Sequence, residues 1–364
     1  MKRAFLLIAV CLRLTGICHA EDLVRQEADI LNTDSLYGGL SPGDTEKLEG
    51  ASPSAGADFG SQLWKVISDS LSGLQDSFAD GLKSACGMLA AAVLCAAADG
   101  LDTRLSKSAV LIAGTLAITA ICAGSLHGMI GLAADTLDRI ANFTELLLPV
   151  LSSAAAASGA VSASAALYVG SSLFMSVLTS VIRSLLIPLV CAFTALCAAE
   201  SALEQNKLAG LRKLLGWVIQ ISLRAVMYLF TAYLALTGIL SSSADAVTLK
   251  AAKATLSGAL PVVGGIASDA TETVLAGAGL LKNSVGIFGM LAVLAIGLTP
   301  FFKIAAAYLS LKLVTAVSAV SACREHAQLL ENLTTAMGYM LAMTGSAMLM
   351  TLVSCACFIK VVSG

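Results

Sequence analysis

The chain has 364 residues, 57% hydrophobic and 13% charged, with a mean hydropathy of +0.86 and a net charge of −2. Soluble domains carry about 25% charged residues, so this composition excludes an ordinary soluble protein and leaves an all-α polytopic membrane protein. The near-neutral charge excludes a broadly basic nucleic-acid binder, and the chain carries no nucleic-acid motif.

Residues 1–20 read as a signal peptide. Lys2 and Arg3 give a positive start, Ala4 to Cys11 an apolar core, and Cys18-His19-Ala20 a small-x-small cleavage site. An uncleaved first helix is the other reading. Residues 21–83 form an exported acidic segment, for 21–80 hold twelve acidic residues against three basic ones, Arg25, Lys47 and Lys65. Positive charge is what the cytoplasm retains, which places this segment outside. Within it, 38–61 is rich in Gly, Ser, Pro and Asp and predicts a flexible linker. Next, 62–83 sets Leu63, Val66, Ile67, Leu71, Leu74 and Phe78 at helical spacing. That predicts an amphipathic helix on the membrane surface, on a partner or on the chain's own bundle.

Residues 84–364 form the membrane domain, with apolar segments near 84–98, 108–131, 147–170, 173–197, 217–240, 259–282, 285–301, 304–322 and 336–359. The segments 147–170 and 259–282 both open on Leu-Pro-Val, 112 positions apart, and Pro188 and Pro300 share that offset. The coincidence predicts an internal repeat of about 112 residues, with halves 108–216 and 217–330 and a final helix 336–359. Duplicated segments broken by proline or glycine line the pathway in many transporters. The competing reading is that small residues serve only close helix packing. Lys207, Arg212 and Lys213 mark 198–216 as a cytoplasmic loop. With the N-terminal segment outside, 147–170 and 259–282 are then expected to be re-entrant, giving a helical bundle with broken or re-entrant helices.

Ten cysteines lie mostly in apolar segments, and three scattered histidines make no metal pattern. No phosphate-binding glycine loop and no nucleophile–base pair is present. The expectation is a protein that is not an enzyme and holds no cofactor and no metal.

The most distinctive run is 260–289, LPVVGGIASDATETVLAGAGLLKNSVGIFG. It combines six glycines with Asp269, Glu272 and Lys282 inside an apolar stretch. Ionisable groups cost a few kcal/mol each at the bilayer centre, so the run predicts an interrupted element that lines a wet cavity or is buried in protein. Gly264, Gly265, Gly277 and Gly279 are candidate helix-break positions, and Asp269 and Glu272 are candidate conduit carboxylates. Arg183 and Arg224, inside other apolar segments, are candidate charge partners for them. Asp269 as a half-helix cap and arginines that snorkel are the structural alternatives.

This run resembles the stage III sporulation protein AE family, as does the order of signal, exported acidic segment and apolar segments. The resemblance implies a membrane core subunit of the channel linking mother cell and forespore in endospore-forming bacteria, in the mother-cell membrane around the forespore. It implies as partners other proteins of the stage III sporulation A operon, including a secretion-type ATPase and ring-forming subunits, and indirectly the forespore membrane protein SpoIIQ. Membrane lipid is the remaining partner. A stand-alone secondary transporter is the alternative that broken repeats suit equally.

Overall fold

A computed structural model describes residues 28–30, 33–49, 51–53, 59–72, 74–100, 107–202, 208–259 and 264–360, with the side chains of 99–100, 107–108, 237–259, 264–278 and 321 outside the description. Among the described residues there are helices and turns and no strand. Two short helices, α1 (Ser35–Gly38) and α2 (Pro42–Lys47), precede α3 (Phe59–Ser72) and α4 (Leu74–Gly100). The long helices α5 (Lys107–Ala157) and α6 (Val161–Val181) follow, then a π turn (Ile182–Leu186) leading into α7 (Ile187–Ala202). The last three are α8 (Ala209–Ala259), α9 (Gly264–Ser321) and α10 (Arg324–Lys360).

Among the described residues, six helical stretches are long and apolar enough to cross a membrane: Phe59–Ala98, Ala109–Ala157, Val161–Ala202, Ala209–Leu236, Gly279–Val320 and Arg324–Lys360. In the apolar 18-residue window of each stretch, 61% and 56% of residues are buried in α9 and α10, against 17–33% in the other four. The α9–α10 hairpin is therefore the centre, and the others surround it.

The central pair is antiparallel, and glycine lets it close. A Cβ on Gly286 would run into Ile359, and one on Gly297 would lie 2.6 Å from the Met348 sulfur. Further along, the glycines change helix, with Gly345 facing Phe301 and Gly338 facing Tyr308. The Thr315 and Thr334 hydroxyls meet at 2.9 Å beyond them. Helices in lipid gain little from hydrophobic exclusion and associate through such close contacts.

The run 264–289 is thus helix, not an interrupted element: α9 is continuous from Gly264 to Ser321. Gly286 and Gly289 sit where Ile359 and Leu147 press against the backbone, which accounts for these two glycines of the run. Leu260 to Val263 lie outside the described residues. The segments 285–301 and 304–322 likewise belong to this one helix, with Pro300 inside it.

A break does occur in 147–170. Helix α5 ends at Ala157, and α6 starts at Val161 after a turn. Gly159 takes φ 101°, which glycine adopts at no steric cost. The Ala160 N–H reaches the Ala155 carbonyl at 3.1 Å and the Gly159 N–H the Ala156 carbonyl at 3.0 Å. These two bonds complete a Schellman ending. Chain direction reverses there, so α5 and α6 form a second hairpin. The two windows aligned by the 112-residue offset therefore differ: one is helix–turn–helix, the other continuous helix from Gly264 onward. Pro188 follows the π turn, whose wider winding accommodates the missing N–H.

The expected linker 38–61 is packed where it is described. Ser41 caps α2 with Pro42 at its first position, and the Asp44 carboxylate accepts from the Ser41 hydroxyl at 2.6 Å. Leu36, Leu48 and Ala51 are buried, and the Tyr37 ring meets Phe288 edge-on at 5.2 Å. The expected amphipathic helix is α3 with the start of α4, packed on the bundle through the buried Val66 and Ser70.

Among the described glycines Gly170 of α6 makes the tightest approach, since a Cβ there would overlap the Tyr233 ring of α8. That ring is held by a 2.9 Å bond from its hydroxyl to the Ala166 carbonyl. Gly170→Ala should destabilise the fold by about 1–3 kcal/mol through overpacking. Gly279, with nothing within 4 Å of its Cβ position, should accept alanine without loss. Thermal unfolding of both variants in detergent checks the contrast.

Candidate functional site: a polar cleft between α5 and α6

The α5–α6 hairpin carries a cleft of about 630 Å³. On α5 its wall is Asp138, Asn142, Glu145 and Leu148, at helical spacing on one face. On α6 it is Tyr168, Ser172, Ser176, Thr179 and Ser180, also on one face. Two threonines of the wall bond back to their own helices: Thr144 to the Ile140 carbonyl at 2.6 Å and Thr179 to the Met175 carbonyl at 2.9 Å. Their hydroxyls stabilise a polar wall without breaking the helices. At one end of the cleft Arg183 pairs with Asp138, both half-exposed.

An open cleft of this composition cannot face hydrocarbon, where each unpaired polar group is costly. It either opens to water or is covered by protein. Its chemistry is that of a hydrated groove, with carboxylates and hydroxyls that replace water around a polar solute. Among the described residues no group of three or more His, Cys, Asp or Glu is placed to hold a metal.

The neighbouring Arg139 points the other way. It pairs with Asp44, 7% exposed, and donates to the Ser41 hydroxyl at 3.1 Å. On the far side of this latch Lys47 donates to the Thr299 hydroxyl at 2.7 Å and to the Ala295 carbonyl at 3.3 Å. Burial pushes the Lys47 ammonium below the usual lysine range, partly offset by Asp44. The segment 41–47 therefore straps α5 to α9 one turn before Pro300.

A second polar cluster sits at the opposite end of α5. Arg212 donates from Nε to Glu200 at 2.8 Å and from Nη1 to Asn332 at 2.9 Å. Close by, Thr115 and Ser201 meet at 3.1 Å, and the fully buried His326 contacts the Leu111 carbonyl through Nε2 at 3.2 Å. The beginnings of α5, α8 and α10 and the end of α7 converge here.

Of the residues singled out in the sequence, Arg183 lies at the end of the cleft, where its partner is Asp138. Arg224 is exposed on α8, with no ion pair among the described residues. Gly264 and Gly265 begin α9, and Gly279 faces open space. The side chains of Asp269 and Glu272 lie outside the described residues. The residues that sequence reasoning missed are Asp138, Asn142, Glu145 and the α6 hydroxyls. The helical spacing of Ser172, Ser176 and Ser180 inside an apolar segment was the available signal.

Fold and site together define an all-α membrane protein with six helices able to span and a polar cleft along one hairpin. Residues 58–362 match the profile of stage III sporulation protein AE, and the chain belongs to that family. It is 25% identical over 315 residues to the stage III sporulation protein AE of Bacillus subtilis (strain 168), covering 82% of this chain and 78% of that protein. No solved structure matches it.

Arg139→Ala should unlatch 41–47, because it strands the buried Asp44 carboxylate at a cost of about 1–3 kcal/mol. Limited proteolysis between residues 49 and 59 should then be faster than in the parent protein, with the long helices still protected.

Proposed function

We propose that this chain is a membrane core subunit of the channel between mother cell and forespore, and that the α5–α6 cleft is part of its aqueous path. The observation that carries this reading is the cleft itself, lined by hydroxyls, Asp138 and Glu145 and closed at one end by the Asp138–Arg183 pair. Family membership supports a role in sporulation. On this reading the chain works with other subunits of its operon, including a secretion-type ATPase and ring-forming proteins, and indirectly with SpoIIQ. It performs no catalysis.

The helix ends that converge around Arg212 carry Lys107, Lys213 and Arg324, and the connecting residues add Arg104 and Lys207. Positive charge of this kind marks the cytoplasmic side. The turn Ser158–Ala160 and residues 28–53 then lie on the opposite side, toward the space between the two membranes. This orientation also suits removal of residues 1–20 as a signal.

Topology tests the arrangement. Cysteines at Asn142 and Ser172, which line the same cleft, should be labelled by an impermeant thiol reagent from the same side of the membrane. Cysteines at Gln205 and Ser243 should be labelled from opposite sides. Opposite labelling of the cleft pair removes the conduit.

The 264–289 carboxylates test function. Asp269→Asn with Glu272→Gln keeps shape and removes charge, and should lower spore counts about tenfold or more at unchanged protein level. Normal sporulation would remove these carboxylates from the path. A stand-alone transporter would instead move its solute when expressed without partners, which a channel subunit should not do.

A further inference from the structure

Helix α8 shows the bundle one face and turns a different one outward. Ile219, Val226, Phe230 and Leu234 face inward and are buried. On the opposite face Leu214, Trp217, Ile221 and Tyr228 are exposed, Trp217 by 61% and Tyr228 by 72%. Arg224 lies on this outer stripe, itself exposed. From Leu214 to Leu236 it is the single charged residue, and it sits about 15 Å from Leu214, near the middle of a span of about 30 Å. Snorkelling relieves arginines near helix ends, and Arg224 is not near one. It needs a carboxylate at its own depth, and none of the described residues of the chain supplies it.

Helix α5 turns outward a face of the complementary kind. Gly124, Gly128 and Gly131 have nothing within 4 Å of where a Cβ would stand. One turn further, Asp135 is exposed, with no ion pair among the described residues. Gly124 and Gly128 have the spacing that lets a second helix approach closely in lipid.

The two faces are in register. Helices α5, α8 and α10 run in the same direction. Leu111 is level with His326 and Thr144 with Thr351, while Gln220 is level with Tyr339. Counting along the helices from these contacts, Trp217 lies level with Gly124 and Gly128, and Ile221 with Gly131, to within about one turn. Arg224 falls level with Asp135, and Tyr228 with Asp138 and Asn142. Neighbouring copies related by an axis along the membrane normal keep every residue at constant depth. Bulk then meets glycine, and arginine meets aspartate.

We propose that copies of this chain associate side by side in the membrane, with the Trp217–Tyr228 face of α8 in one copy seated on the Gly124–Asn142 face of α5 in the next. Arg224 pairs with Asp135 across the contact, and Tyr228 of the neighbour lies over the mouth of the α5–α6 cleft. The contact is heterologous, different faces meeting, so closure gives a ring. The inference rests on the chain crossing the membrane, not on the channel role, so its test reads assembly and not spore formation.

The full chain, with its native cysteines replaced by alanine and Ile221→Cys and Gly131→Cys both introduced, is oxidised in its own membranes and run on a non-reducing gel. The expected result is a ladder at multiples of the monomer mass that ends at the ring size and is absent from either single variant. Adding Arg224→Asp should lower the crosslinked fraction about tenfold, and adding Asp135→Arg to it should restore the ladder. Arg224→Lys should keep most of it. No ladder, or one indifferent to both charge reversals, overturns the proposal. So does a crosslinked band that contains a different protein, which would make α8 the seat of another subunit.

Discussion

The structure depends on how closely α9 and α10 approach. Four levels of that hairpin set a glycine against a bulky residue, Gly286 with Ile359, Gly297 with Met348, Gly345 with Phe301 and Gly338 with Tyr308. The exchange of glycine from α9 to α10 along the axis keeps the pair close over its whole length without demanding a long glycine run in either helix. In lipid, where apolar surfaces gain little by leaving their solvent, this fit is the main attraction available. The surrounding helices take their places from it: Leu147 of α5 presses on Gly289, and Ser310 faces Gly81 of α4.

Polar contacts then fix where the hairpins sit relative to one another. Asp138 and Arg139 are adjacent in α5 and pair in opposite directions, one with Arg183 near the π turn and one with Asp44 outside the long helices. Lys47 completes the strap to α9 beside Pro300, where the missing proline N–H weakens the helix ladder. At the other end Arg212 gathers Glu200 and Asn332. An apolar bundle slides easily, since its contacts resemble one another, and these ion pairs select one register.

The functional reading follows from a conflict between surface and solvent. The outer faces of α5, α6 and α8 carry exposed Leu, Val and Trp, as lipid requires, yet they also carry Arg224, Asp135, Asn142 and Glu145. Hydrocarbon does not tolerate such groups unpaired. Water in the cleft and a neighbouring copy over the rest would remove the conflict together.

Sequence alone determined the class of protein, because 57% apolar residues in long runs have no soluble solution. It expected 147–170 to be interrupted from loop charge, without singling out Gly159, where the structure places the turn, and it pointed to the family through the 260–289 run. It misjudged that run's geometry. Glycine is used both where a helix ends and where another helix comes close, and only the presence of Ile359 and Leu147 opposite Gly286 and Gly289 tells which. It also read 38–61 as a linker, because Gly, Ser and Pro there look like loop composition until Asp44 and Lys47 find their partners on α5 and α9. The cleft was decided by tertiary structure for the same reason. Its two walls lie about 30 residues apart along the chain, and only the reversal at Gly159 brings Asp138 to Arg183.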